Sequence, residues 1–389
     1  MKIVFVVQGF RQGGANRSLQ YLLPALKRPE LEISVYALSQ QGPYRDVFAA
    51  YSLVEEDFLA STLLSEIGKE KLSFRRMLRW FLRSVFRLAR ISGISLHTFF
   101  FRQARKKIIQ KGFDLVIAFQ EGTATEFVAA LTGVRKIAWV HSDYPNYLRL
   151  AGRKPEVELY QSFDELVCVS EFTAENFKSL LPSLAQRVRV INNVMDCSSI
   201  RIQAKETPSH PSFILDGHTL ISVGRLDPVK RFSAIPAIAA VLKSHSLRFR
   251  WFLIGEGSSA EREQILIERK HWGVEDELVL LGELANPYPY IAAADLLVSL
   301  SLSEACPLGV QEAKILKIPV LSSDYGSATE FVKEGQGGVV LPFNELGNTL
   351  AEWLEEGSKL LALKDELENF SFSNDAIVEK VEALLNTNQ

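Results

Sequence analysis

Residues 220–232 read Leu220-Ile221-Ser222-Val223-Gly224-Arg225-Leu226-Asp227-Pro228-Val229-Lys230-Arg231-Phe232. The first four form a short apolar run of the kind that makes a buried strand, glycine ends it, and two cations follow where a helix is about to begin. Outward from this stretch the alternation repeats. Strand candidates follow at 249–254, 278–281, 296–300, 319–322 and 339–341, with helical patterns between them. Toward the N-terminus the same reading gives strands at 3–7, 33–37, 115–118, 136–140, 165–169 and 188–191, with helical stretches such as 15–26 and 173–181. Strands alternating with helices specify an α/β protein with parallel sheets.

A chain of 389 residues exceeds one ordinary domain of roughly 100 to 200 residues. Between 204 and 217 the pattern lapses into Lys-Glu-Thr-Pro-Ser-His-Pro-Ser, a proline-rich polar cluster that reads as a linker. The expectation is two Rossmann-like domains in tandem, 1–203 and 204–370. A terminal amphipathic helix within 371–389 carries Ile377, Val378, Val381 and Leu384 on one face.

With 47% hydrophobic and 23% charged residues and a net charge of -2, the composition is that of a globular protein and excludes a disordered or fibrous one. The three cysteines, Cys168, Cys197 and Cys306, lack zinc or redox spacing and point to a reducing compartment, so a cytoplasmic protein is expected. The apolar run at 3–7 is too short for a signal peptide, and no uncharged run of about 18 apolar residues occurs.

Parallel sheets bind ligands beyond the carboxyl ends of their strands, so the turns after strands hold the chemistry. Arg225 and Lys230 suit a diphosphate: the guanidinium fork gives bidentate hydrogen bonds and the ammonium a point charge. The plain alternative is a pair of surface cations. Residues 299–313, Ser-Leu-Ser-Leu-Ser-Glu-Ala-Cys-Pro-Leu-Gly-Val-Gln-Glu-Ala, follow another strand. Pro307 fits a helix start, which puts Glu304 in the loop and Glu312 about a turn and a half into the helix, with the amides of Leu308 and Gly309 facing an anion. Two such glutamates can hold sugar and ribose hydroxyls, or be a capping or solvated pair. Earlier, Gly9, Gly13 and Gly14 make a turn onto a helix that is not the dinucleotide fingerprint. His141, beside Ser142 and Asp143, lies just past a strand; the residues alone favour a hydrogen-bonded structural histidine.

The ordered set Gly224-Arg225 with Lys230, Ile254-Gly255-Glu256-Gly257, Ala292-Ala293-Ala294-Asp295 and Glu304-x7-Glu312 resembles glycosyltransferase family 4, which has the GT-B fold. Pro319 to Asp324, Glu330 and Gly337-Gly338 continue the pattern. Gly13-Gly14-Ala15, Trp139 to Asp143, Val169-Ser170-Glu171 and Ile191-Asn192-Asn193 extend it into the first half. The resemblance implies two Rossmann-like domains facing each other across a cleft, and a retaining, metal-independent transfer with no cofactor. The donor is a nucleotide sugar such as a UDP- or GDP-sugar. By the resemblance Arg225 and Lys230 take the diphosphate, Glu304 the sugar, Glu312 the ribose, and Gly255, Leu308 and Gly309 belong to the donor site. Gly13, Gly14 and Asp143 line the acceptor side and its closing loop, and His141 stands near the reacting sugar. Ala305-Cys306-Pro307 replaces the family's Gly-Phe-Gly, and Asn16 stands where glutamate is frequent. A nucleotide-sugar epimerase of the same fold and a non-catalytic nucleotide-sugar binder remain alternatives.

One segment is strongly basic. Arg75, Arg79, Arg83 and Arg87 recur every fourth residue amid Phe74, Met77, Leu78, Phe81 and Leu82, and Phe99 to Phe101 precede Arg102, Arg105 and Lys106. Such a segment suits an anionic membrane surface, or is a solvated face of a packed helix; nucleic acid is not expected. Together with the resemblance it leads to a peripheral enzyme on the inner face of the cytoplasmic membrane. Its acceptor is a saccharide or lipid-linked saccharide in surface polysaccharide synthesis, such as lipopolysaccharide or capsule.

Overall fold

The computed structural model describes residues 1–53, 77, 80–82, 84–85 and 101–386. The chain forms two compact units, Met1–Val194 with Asp375–Gln389, and Met195–Asn374. In the first, seven parallel strands are ordered β3-β2-β1-β4-β5-β6-β7: β1 Lys2–Val7, β2 Glu32–Ala37, β3 Ser52–Leu53, β4 Leu115–Ala118, β5 Arg135–Val140, β6 Glu165–Cys168 and β7 Val188–Val190. In the second, six parallel strands are ordered β10-β9-β8-β11-β12-β13: β8 His218–Val223, β9 Phe249–Ile254, β10 Leu278–Gly282, β11 Leu296–Ser299, β12 Val320–Ser323 and β13 Gly338–Leu341. Every strand expected from sequence is present. The added one, β3, has only two residues at a sheet edge, too few to show alternation.

The strands are apolar along most of their buried length, as expected of parallel sheets covered on both faces. β4 is buried at all four positions. In the second core the fully buried Trp251 donates its indole N–H to Ser222 Oγ at 3.1 Å, and Ser222 donates in turn to the Val298 carbonyl at 2.6 Å. This chain satisfies both polar groups inside an apolar layer, as burial requires. Helix starts follow side-chain caps: Ser170 Oγ accepts from the Thr173 amide, and an Asp196 oxygen accepts from the Ser199 amide.

The division between units falls earlier than the polar cluster at 204–217. Helix Cys197–Gln203 belongs to the second unit, where the Gln203 carbonyl accepts from Asn286 at 3.0 Å. The cluster itself is fastened there: the amides of Ser209 and His210 both donate to the Tyr290 hydroxyl, and Phe213 packs on Phe252 and Tyr290. The terminal helix Asp375–Asn386 returns to the first unit. It buries Val381, Leu384 and Leu385 there, and Arg135 donates to the last two carbonyls at 2.7 and 3.0 Å.

In each sheet the strand order reverses once, between β1 and β4 and between β8 and β11. A crevice forms at such a reversal because neighbouring connections leave to opposite faces. The loop after β8 is held open by Gly255, whose φ is +142° and whose missing Cβ would lie 1.8 Å from the Gly224 carbonyl oxygen. Gly255→Ala is therefore expected to cost about 2 kcal/mol or more and to lower Tm by about 4 °C or more. Gly13→Ala, with nothing within 4 Å of the added methyl, leaves Tm unchanged. Thermal unfolding of both variants checks this.

Candidate functional site

Gly224 and Arg225 leave the end of β8, and a turn at Pro228–Lys230 follows, capped by Asp227 Oδ1 accepting from the Val229 amide at 3.0 Å. Across the strand reversal the loop after β11 is clamped to this turn: the Leu302 amide donates to the Val229 carbonyl at 2.7 Å. The clamp brings together two residues far apart in sequence. Lys230 Nζ forms an ion pair with Glu304 Oε1, and the side chains are 24% and 14% exposed. Ser301 Oγ donates to the same oxygen at 2.7 Å, and Ser327 Oγ donates to the Glu304 backbone carbonyl at 2.7 Å. Buried Tyr325 lies close enough for the Glu304 charge to add to burial in pushing its phenol well above the usual range.

A pocket at this point is lined by Val223, Lys230, Ser301, Glu304, Leu308 and Gly309, among others. Helix Leu308–Ile315 starts there after Pro307, so its first amides, which have no acceptor within the helix, lie at the pocket wall. Arg225, just past the end of β8, has 67% of its side chain exposed and lies 3.9 Å from Asp227. Two cations, a carboxylate and helix N-terminal amides are what an anion bearing a hydroxylated group needs.

Of the donor residues expected from sequence, Arg225, Lys230, Glu304, Leu308 and Gly309 gather at this strand reversal. Gly255 lies behind it, packed on the Gly224 backbone. Glu312 is fully buried, with the Tyr288 hydroxyl 3.4 Å from Oε1.

The first unit gathers a second group at its own strand reversal. Gln8 after β1 donates its amide to Gln120 Oε1 at 2.9 Å, and Gln120 reaches Asn16 at 3.4 Å. Asn16, buried, donates to the carbonyls of Gly9 and Arg11 at 2.8 and 2.6 Å, so this side chain shapes the turn leading to Gly13 and Gly14. His141 follows β5, packed on the Phe119 ring at 4.6 Å, and burial pushes its imidazole down to about 3. Asp143 accepts from Asn176 at 3.1 Å.

Sequence reasoning passed over Glu121, which follows β4 just as the chosen residues follow their own strands. Its carboxylate accepts the Ser142 amide at 2.7 Å and the Ser142 hydroxyl, and burial raises its pKa.

Of the basic segment, Arg102 and Lys106 are exposed on helix Arg102–Gln110, whereas Arg75, Arg79, Arg83 and Arg87 lie outside the described residues. Phe101 is not part of an exposed apolar cluster: it is buried in the first core against Phe127, with ring centres 5.8 Å apart. Among the described residues no helix is long and apolar enough to cross a membrane.

The His141 shift has a thermodynamic consequence. The folded pKa lies below the ordinary value, so the unfolded chain binds a proton that the folded one refuses between about pH 6.5 and 3, and stability falls as pH drops through that window. His141→Gln removes the titration. Relative to the variant, the parent protein is expected to lose about 2 kcal/mol between pH 7.5 and 4.5, read from urea midpoints.

Residues 12–199 match the family model of Glycosyltransferase Family 4 and residues 205–369 that of Glycosyl transferases group 1. A putative colanic acid biosynthesis glycosyltransferase of Salmonella typhimurium, WcaL, is 25% identical over 213 residues, 52% of this chain and 50% of that protein. The N-acetylgalactosamine-N,N'-diacetylbacillosaminyl-diphospho-undecaprenol 4-alpha-N-acetylgalactosaminyltransferase of Campylobacter jejuni is 24% identical over 212 residues, 54% of this chain and 55% of that protein. The chain thus spans about half the length of the curated relatives it matches. The crystal structure of Anabaena Alr3699/HepE in complex with UDP and glucose superposes with a TM-score of 0.72 at 19% identity, covering 100% of both chains. With both halves matched in order and the GT-B fold shared, the chain belongs to the group 1 glycosyltransferases of the family 4 type.

Proposed function

We propose that this protein transfers a sugar from a nucleotide-diphosphate donor to a saccharide acceptor, with retention of anomeric configuration and without a metal ion. The observation that carries the reading is the Lys230–Glu304 pair at the strand reversal of the second unit, with Arg225 exposed beside it and helix amides behind. A diphosphate draws Lys230 and Arg225 to itself, and a sugar hydroxyl donates to the Glu304 carboxylate. As the bond from the anomeric carbon to the diphosphate oxygen breaks, its electron pair stays with the diphosphate. Two fixed cations and the amides of Leu308 and Gly309 stabilise that charge more as it grows, which is the condition for lowering a barrier rather than merely binding. The acceptor oxygen adds to the same face, and its proton leaves with the departing diphosphate.

His141 of the first unit is a neutral imidazole, since burial holds it deprotonated throughout the neutral range, and it suits hydrogen bonding to a hydroxylated ligand without adding charge. Among the described residues neither backbone strain nor crowding requires glycine at Gly13 and Gly14. Their small size serves instead to let the turn approach a ligand.

The acceptor is a saccharide carried on a lipid at the cytoplasmic membrane face, in surface polysaccharide synthesis. The basic segment supports this. Met77, Trp80 and Phe81 are exposed at helical spacing, and Arg75, Arg79, Arg83 and Arg87 interleave with them in sequence. The polysaccharide and undecaprenol chemistry in the names of the two curated relatives agrees.

A thermal-shift panel of UDP-, GDP- and ADP-sugars identifies the donor, because a ligand of the folded state raises Tm. With that donor, Lys230→Ala and Glu304→Ala are each expected to lower transfer by about 100-fold or more, and excess EDTA to leave it unchanged. Wild-type rates in both variants overturn the site. Replacing Arg75, Arg79, Arg83 and Arg87 by Gln weakens co-sedimentation with phosphatidylserine vesicles by about 100-fold or more, at about 1 kcal/mol per charge. Unchanged sedimentation removes the membrane surface from the account.

A further inference from the structure

We propose that Ser301 is a positioning residue that divides the two oxygens of the Glu304 carboxylate, keeping one occupied so that the other is presented to the donor sugar; this rests on the donor-site reading above. Ser301 is 4% exposed, and its hydroxyl lies 2.7 Å from Glu304 Oε1. Lys230 pairs with that same oxygen. Among the described residues both side-chain contacts of the carboxylate therefore fall on Oε1, which leaves Oε2 with capacity to accept.

The serine has a distinct task once a nucleotide binds. A diphosphate competes for Lys230 and weakens its hold on Oε1. The terminal torsion of a glutamate is soft and broad, so a carboxylate held by the lysine alone turns when the lysine leaves. The Ser301 hydroxyl is uncharged and buried, has no attraction to a phosphate comparable with that of an ammonium, and stays on Oε1.

Its own position is fixed from behind: Ser323 Oγ, also buried, donates to the Ser301 carbonyl at 2.9 Å. Ser327 separately pins the Glu304 backbone. Three serines from the ends of β11 and β12 thus set where the carboxylate stands and how it is turned. Among the described residues the Ser301 hydroxyl bonds to Glu304, and Ser301 acts through it. The expected signature is a loss of the sugar's contribution to binding with no loss of the diphosphate's.

The test is titration calorimetry of wild type, Ser301→Ala and Ser301→Thr with UDP, UDP-glucose, GDP and GDP-mannose. In the pair that wild type binds, Ser301→Ala is expected to keep the nucleoside diphosphate Kd within about twofold and to reduce the gain from the attached sugar by about tenfold. Ser301→Thr, which keeps the hydroxyl, restores it. Where Ser301→Ala does not fold, the isosteric Ser301→Cys, a weak donor, carries the comparison. An unchanged sugar gain overturns the proposal. So do equal weakening of nucleotide and nucleotide sugar, as damage to the whole loop produces, and failure of Ser301→Thr to restore. If wild type binds no nucleotide and no nucleotide sugar, the donor-site reading fails and this proposal with it; if wild type binds both and Ser301→Ala keeps the full gain from the sugar, this proposal fails alone.

Discussion

One ion pair, Lys230 with Glu304, ties together the turns that follow β8 and β11, and the proposed donor site depends on it. Neither partner is well solvated, so each charge without the other carries an uncompensated desolvation cost. The fold pays attention to their geometry through neighbours: the Leu302 amide clamps one turn to the other, and Ser301 shares the carboxylate oxygen with the lysine. Here the two charges satisfy each other. A diphosphate with an attached sugar can satisfy both partners separately, with an anion for the lysine and hydroxyls for the carboxylate. The proposed reading rests on that exchange.

The two units repeat one architecture with different chemistry. Both have a strand reversal with loops gathered at its carboxyl end, β1 against β4 and β8 against β11. In the second unit the gathered groups are charged. In the first, Asn16 and Gln120 are amides that fix one another and the glycine turn, and His141 is held neutral by burial. Amides and a neutral imidazole match hydroxyl groups, whereas cations and helix amides match a diphosphate. The proposed division of ligands between the halves rests on this difference in chemistry, on a common fold.

Strand positions were legible because a strand covered on both faces is apolar along its buried length, as in the run Ile-Val-Phe-Val-Val at 3–7. Position after a strand singled out Lys230 and Glu304 but left surface cations and a capping pair open; the ordered motifs of the family resemblance joined them, and the structure brings the two together. The limits are equally physical. The polar stretch at 204–217 reads as a linker, yet Tyr290 and Asn286 fasten it and the preceding helix to the second unit through contacts distant in sequence. Glu312 was placed correctly along its helix, but which helix face is covered depends on neighbours such as Tyr288, and it is fully buried. Asn16 and Glu121 act through backbone groups brought near by folding, and no local pattern announces such bonds. Phe101 gave an apolar signal that could mean surface or core, and it went to the core.

The most direct measurement of the central claim is a crystal structure with the nucleotide sugar that the protein binds. The account predicts Lys230 Nζ on a diphosphate oxygen, Glu304 Oε2 accepting from a sugar hydroxyl, and Ser301 still on Oε1. A nucleotide sugar bound elsewhere, with the Lys230–Glu304 pair intact, would contradict it.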